Sequence, residues 1–254
     1  MVEFTAPFES APVRDAAARA LQDGASLNPL WRTMITVPDA PSPEAPLHDP
    51  EHEAIIRRAL LAPCVAAVGV TPAVGPRIEL EISVDARGAV VCARRGAGEV
   101  GWSLVEVEML PEIIMASVPA GSRLSAPATM TTRSEATRLQ LSSAQVQQIR
   151  SRADEGEPAR SAIATLPGLD AELRDALAGT GDRADLAIHL IPPAPEQSVT
   201  LLRRWTCGVL GLYSADGPAG PLAGMHRVED GDFFGTVIPL LREGATIART
   251  EGAA

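Results

Sequence analysis

The sequence predicts an α+β fold: two quasi-two-fold-related antiparallel β-meanders packed with helices. Three observations carry this expectation. Ile78, Leu80, Ile82 and Val84 alternate with Glu79, Glu81, Ser83 and Asp85, the period-two pattern of a strand with one buried face and one acidic, solvated face. Glycine-bearing turns punctuate the apolar runs at Asp85-Ala86-Arg87-Gly88, at Gly96 to Glu99 and again at Ser214-Ala215-Asp216-Gly217. The order helix, strands, helix also occurs twice, once on either side of a helical middle.

Residues 1–46 read as a poorly defined N-terminal segment and Pro-rich linker. Asp15 to Gln22 suits a short helix, and Trp31 to Val37 alternates weakly, as a strand would. Pro38, Pro41, Pro43 and Pro46 make the end of this segment extended. Residues 47–254 read as a single α+β domain built of two similar halves, about 47–120 and 168–248. In the first half, Asp49 caps a helix and Pro50 suits its first turn. Glu51 and Glu53 favour the positive end of its dipole, and Ile55, Ile56, Ala59 and Leu60 form its apolar face. The strand at 78–85 is followed by a second at Ala89 to Arg95 and a third beginning at Val100, Trp102 and Leu104. Met109 to Val118 closes the half as a helix.

In the middle, Arg123 to Arg133 suits a loop. Ser142 and Gln145 have the spacing of a capping box ahead of a helix reaching Ala153. Helices follow at Pro158 to Leu166 and at Asp170 to Ala178, the latter ended by Gly179. The second half contains Leu186, Ile188 and Leu190, then a long β-rich run from Val199 to Tyr213. Strands at Met225 to Val228 and Phe233 to Ile238 come next, and a short helix from Pro239 to Ile247 ends it. The halves superpose with Ile78–Gly88 over Cys207–Gly217, Ala89–Val100 over Ala219–Asp232 and Trp102–Ile114 over Phe234–Thr246. That alignment implies two small sheets packed on helices.

Composition narrows the function. With 46% hydrophobic residues and only 3% aromatic, the core must be built of Val, Leu, Ile and Ala. A net charge of -10 disfavours nucleic acid and anionic membrane surfaces, which require clustered cations. All 22 basic residues are arginine, so Schiff-base chemistry, anchored pyridoxal phosphate and P-loop phosphate binding are excluded. Cys64, Cys92 and Cys207 are odd in number and far apart, which suits reduced core residues. The N-terminus lacks a secretory pattern, and no apolar run approaches the roughly 20 residues of a membrane helix, so a cytoplasmic location and no membrane insertion are expected.

The chemical motifs do not survive their context. Gly96-Ala97-Gly98-Glu99-Val100-Gly101 matches GxGxxG but opens a strand, and no acid follows about 20 residues later, so it reads as a hairpin turn. His48 and His52 sit at an acidic helix start without a third ligand. His189 and His226 are isolated, and Ser142, Ser143 and Ser151 lack a nucleophile elbow. No catalytic residue, metal or cofactor is therefore expected, and the chain reads as a binding protein rather than an enzyme. Its candidate partner-binding residues are Arg94, Arg95, Arg203 and Arg204, cations on otherwise acidic strands, with Trp102 and Trp205 supporting the surface. Solvated strand ends are the simpler account of the same arginines.

Several segments resemble the EspG proteins, cytosolic chaperones of actinobacterial type VII (ESX) secretion. They are Val90-Val91-Cys92-Ala93-Arg94-Arg95-Gly96, Leu104-Val105-Glu106-Val107, Leu110-Pro111-Glu112-Ile113-Ile114, and Phe233 through Leu241. The resemblance spans about residues 50–248. It implies a mixed α/β fold with quasi-two-fold symmetry. It also implies a secreted helical partner, a PE–PPE-like heterodimer, whose aggregation-prone tip is shielded before export. It assigns no site residue. The competing reading is a small-molecule-binding or enzymatic α+β protein whose site is assembled from residues distant in sequence.

Overall fold

A computed structural model describes residues 3–7, 10–41, 49–125, 138–192, 194–218 and 224–251. Two of the predicted elements, the loop at Arg123 to Arg133 and the Pro-rich linker, lie partly outside the described residues, and His48 lies wholly outside them.

Four strands follow the helix α3 (Pro50–Leu61): β2 (Cys64–Thr71), β3 (Ile78–Asp85), β4 (Gly88–Arg95) and β5 (Gly101–Val105). They pair in sequence order as an antiparallel meander, closed by α4 (Leu110–Ser117). The plan recurs after α7 (Ala171–Ala178), with β7 (Arg183–Leu190), β8 (Val199–Cys207), β9 (Leu212–Asp216) and β10 (Met225–Val228). Here α8 (Asp232–Glu251) closes the unit. β2 and β7 pair antiparallel from Cys64↔Leu190 to Thr71↔Arg183. That seam joins the meanders into one ten-stranded sheet, not two small ones, in the order β1-β5-β4-β3-β2-β7-β8-β9-β10-β6. The edges are β1 (Glu3–Thr5) beside β5 and β6 (Arg138–Leu139) beside β10.

Side-chain alternation gives the sheet two faces, and helices cover them unequally. Ala66, Val68, Leu80, Ile82, Leu186, Ile188 and Trp205 face α4 and α8, which bury Leu110, Ile114, Phe233, Val237 and Leu241 against them. On the opposite face, α1 (Ala11–Gln22), α2 (Pro29–Met34) and α3 cover the first meander around Trp31, Val90, Cys92 and Trp102. The helices α5 (Ser143–Asp154), α6 (Ala159–Ala164) and α7 cover the second around Tyr213, Ala215 and Met225.

Local chemistry sets the helix ends as expected. Asp49 accepts from the Glu51 amide, Ser142 and Gln145 form both bonds of the capping box, and Gly179 ends α7 in the left-handed region at φ +52°. Four expectations are corrected. Trp31 to Val37 is not a strand: Pro29 to Met34 forms α2, capped by Asn28. Phe233 to Ile238 is the start of the 20-residue α8, which carries Pro239 on its exposed side. The run Val199 to Tyr213 is split by a turn at Gly208 to Gly211, between β8 and β9. The proposed superposition is therefore displaced by one strand, since β3 corresponds to β8 and not to β9.

Candidate functional site: an open trough at the seam

Among the described residues, the two helical layers on the second face leave the centre of the sheet uncovered between them. The cross-strand register writes the residues there in rows. One row reads Arg94–Glu79–Gly69–Asp185–Arg204, across β4, β3, β2, β7 and β8. The row behind it reads Cys92–Glu81–Ala67–Ala187–Leu202, and the next reads Val90–Ser83–Val65–His189–Thr200.

The first row is a ladder of alternating charge. The Arg94 guanidinium bonds Glu79, with Nε 2.8 Å from Oε2, and Arg204 Nε lies 2.5 Å from Asp185 Oδ1. Arg77, just ahead of β3, bridges the gap, donating to Glu79 Oε1 at 3.0 Å and to Asp185 Oδ2 at 3.3 Å. It can do so because residue 69 is glycine: a Cβ there would lie 2.9 Å from Arg77 Cζ. The two arginines hold the Glu79 carboxyl below the usual carboxylate range, against the opposing effect of burial. Partly exposed ion pairs of this kind contribute only ~0–1 kcal/mol each, so the ladder shapes a surface more than it stabilises the fold.

Behind the ladder the floor turns small and apolar. Ala67, Ala187 and Leu202 line it, with Gly217 and Pro218 on one wall, and the trough encloses about 480 Å³. Glu81 is the polar exception. It is only 7% exposed, and its Oε2 has no hydrogen-bond partner. Burial, and next the neighbouring Glu79 charge, push its carboxyl up to about 8. The face expected to be acidic and wet is thus mostly covered. Ser83 is buried and accepts from Trp31 Nε1 at 3.1 Å, because α2 lies over that end of β2 and β7. His189, 7% exposed, sits in the same covered row with Nδ1 2.7 Å from Thr200 Oγ1.

The arginine pairs split across the sheet, since neighbours on a strand point to opposite faces. Arg204 lines the trough, and Arg94, in the same row, is bonded to Glu79 at its edge. Arg95 is exposed on the other face. Arg203 is buried beneath α8, where it bonds Asp216 at 2.6 Å and Thr236 at 3.3 Å and lies 5.8 Å from the Trp205 ring. Trp205 and Trp102 are fully buried. The first donates to Asp232 at the start of α8, the second to the Ala6 carbonyl that anchors the N-terminal segment. Sequence reasoning did not find Arg77, Asp185 or Gly69, whose adjacency is a product of strand register alone.

The glycine-rich match is the β4–β5 connection, with Gly96 at φ +60°. The three cysteines are free and buried. His52 stacks on Phe4 at 4.1 Å between ring centroids. Among the described residues no group of three or more metal-ligating side chains converges, and no helix is long and apolar enough to cross a membrane.

Fold and site together define an α+β protein with a polar-rimmed trough on a sheet face that is open among the described residues. No family model and no curated protein matches the sequence. Among solved structures, the chain is similar to the Mycobacterium tuberculosis type VII secretion system chaperone EspG5, solved in complex with the PE25–PPE41 dimer. The similarity covers 97% of this chain and 95% of that one, with a TM-score of 0.44 and 10% identity.

Proposed function

We propose that this chain is a type VII secretion-associated chaperone of the EspG type. It binds a PE–PPE-like heterodimer in the cytosol through the trough and keeps it soluble, without catalysing a reaction. The observation that carries this reading is the uncovered sheet centre. Among the described residues, helices pack over both ends of this face, and the stretch between them, floored by Ala67, Gly69 and Ala187, is open to a helical tip. The sequence resemblance supports the partner class, and the quasi-two-fold plan it implies accords with the pairing of β2 and β7.

A co-purification experiment with a recombinant PE–PPE heterodimer tests it. Arg94→Glu and Arg204→Glu each reverse a charge at the trough rim and are expected to weaken capture by ~1–3 kcal/mol. Arg95→Glu, on the opposite face, should leave it unchanged. Equal loss from Arg95→Glu, or no loss from the first two, removes the trough as the interface.

A further inference from the structure

Glu81 has no structural use that the fold explains. A buried ionised carboxylate needs a cation or several donors, because leaving it bare costs several kcal/mol. The cations nearby are committed elsewhere: Arg94 and Arg77 hold Glu79, and Arg204 holds Asp185. Glu81 makes no ion pair among the described residues, and its neighbours across the strands are Ala67 and Cys92. Replacing it by an apolar residue would relieve the fold, yet a carboxyl stands on the floor of this trough.

We propose that Glu81 is a neutral carboxylic acid that donates its proton to an oxygen acceptor, a backbone or side-chain carbonyl of a segment seated on the Ala67–Ala187–Leu202 floor. The inference rests on the docking reading above only for the molecule that supplies the oxygen. A neutral acceptor fits the surroundings better than a cation. The rim already presents three guanidinium groups, which repel a further positive charge. Burial sets the sign of its pH response, the Glu79 charge adds to it, and Arg94 and Arg77 oppose it. Ser83 on β3, Cys92 on β4, Asp185 and His189 on β7 and Arg204 on β8 lie on the same sheet face, in its own row or the rows beside it. Burial and Glu79 keep the proton on through neutral pH, and it leaves near pH 8.

Two small probes separate donor from anion without the natural partner. N-methylacetamide carries one carbonyl acceptor, and methylguanidinium carries the cation. Each is titrated into the full chain while the Ala67, Gly69 and Ala187 amide resonances are followed, at about pH 6 and about pH 9.5. The expected result is a saturable response to N-methylacetamide at the lower pH that falls at least tenfold at the higher. Glu81→Gln keeps a donor and cannot ionise, so it should retain the response at both pH values. Glu81→Leu, which keeps the volume and loses the donor, should abolish it with the melting temperature held or raised. A response to methylguanidinium that Glu81→Gln removes overturns the proposal. So does an N-methylacetamide response that Glu81→Leu leaves intact, or no response from the wild type. In a parallel arm, a PE–PPE heterodimer should bind Glu81→Gln as it binds wild type and bind Glu81→Leu at least tenfold more weakly. A heterodimer that binds neither wild type nor variant refutes the docking reading, and the amide probe still decides the role of Glu81.

Discussion

Gly244→Ala should destabilise the protein, although the same change on a free helix surface stabilises it. Gly244 lies in α8 where the helix backbone crosses β2, and it is buried. A Cβ at that position would stand 2.6 Å from the Cβ of Cys64 and 3.4 Å from Leu190 Cδ2. Cys64 and Leu190 are a cross-strand pair at the seam, so neither backbone can yield. The helix must lift instead, loosening Leu241, Ala245 and Ala248 from the sheet. Overpacking of this kind costs ~1–3 kcal/mol, and contact with a strand Cβ instead of a flexible side-chain end places this site near the top of that range. The gain in helix propensity from Gly to Ala returns ~1 kcal/mol. The net loss is ~2 kcal/mol, or a fall in Tm of about 4–8 °C for a domain of this size. Calorimetric or fluorescence melting measures it directly. Combining Gly244→Ala with Cys64→Gly should recover part of the loss, with a coupling above ~0.5 kcal/mol. A Tm that holds or rises in Gly244→Ala, or strict additivity in the pair, refutes the close approach of α8 to β2.

Further outcomes follow from other contacts. Asp175 accepts from the Val209 amide at 2.7 Å, the Leu210 amide at 2.8 Å and the Tyr213 hydroxyl at 3.0 Å, so Asp175→Ala should cost ~2–3 kcal/mol and raise amide exchange in the 208–211 turn. Stability should also depend on pH through two buried groups of opposite sign. Glu81 titrates higher in the folded state than in the unfolded chain, so its contribution is full below about pH 4.3 and is lost as pH rises through about 8. Burial lowers the value of His189, so its contribution is full above about pH 6.5 and is lost as pH falls through the folded value. Denaturant melts across pH should therefore lose slope between about pH 4.3 and about 8 in Glu81→Gln, and between the lowered folded value and about pH 6.5 in His189→Gln. An unchanged wild-type slope in either variant counts against that assignment.

What the sequence disclosed follows from what periodicity can report. The alternation of β3 was plain, and so were the caps at Asp49 and Ser142, because each is written within a few consecutive residues. Periodicity reports which residues share a face but not what covers it, so Ser83 reads as wet although it is buried against Trp31 of α2, and Glu81 although it is only 7% exposed on the trough floor. β2 gave no signal because Cys64 to Val70 packs on both faces and shows no alternation. Phe233 to Ile238 read as a strand because two aromatics and three β-branched residues fill it. Only the longer spacing through Val237, Leu241, Ala245 and Ala248 reveals the helix. Of the site, the arginines were visible as cations on acidic strands, and strand parity alone would have separated Arg94 from Arg95 and Arg203 from Arg204. The joining of Glu79, Gly69 and Asp185 into one row was beyond reach, since it depends on pairing between strands more than a hundred residues apart.

That pairing has a consequence for how the molecule comes into being. Each meander closes through neighbouring strands and short connections, steps that carry little loop-closure entropy. The junction of β2 with β7 is different, because it must bring together Ala67 and Ala187 across the entire helical middle. Long-range pairing of this kind is the slow part of assembly. The trough straddles that junction, with Ala67 and Gly69 from one side and Asp185 and Ala187 from the other. A chain with both halves folded but not yet zipped together has no trough at all, so that surface is acquired in the last step of folding.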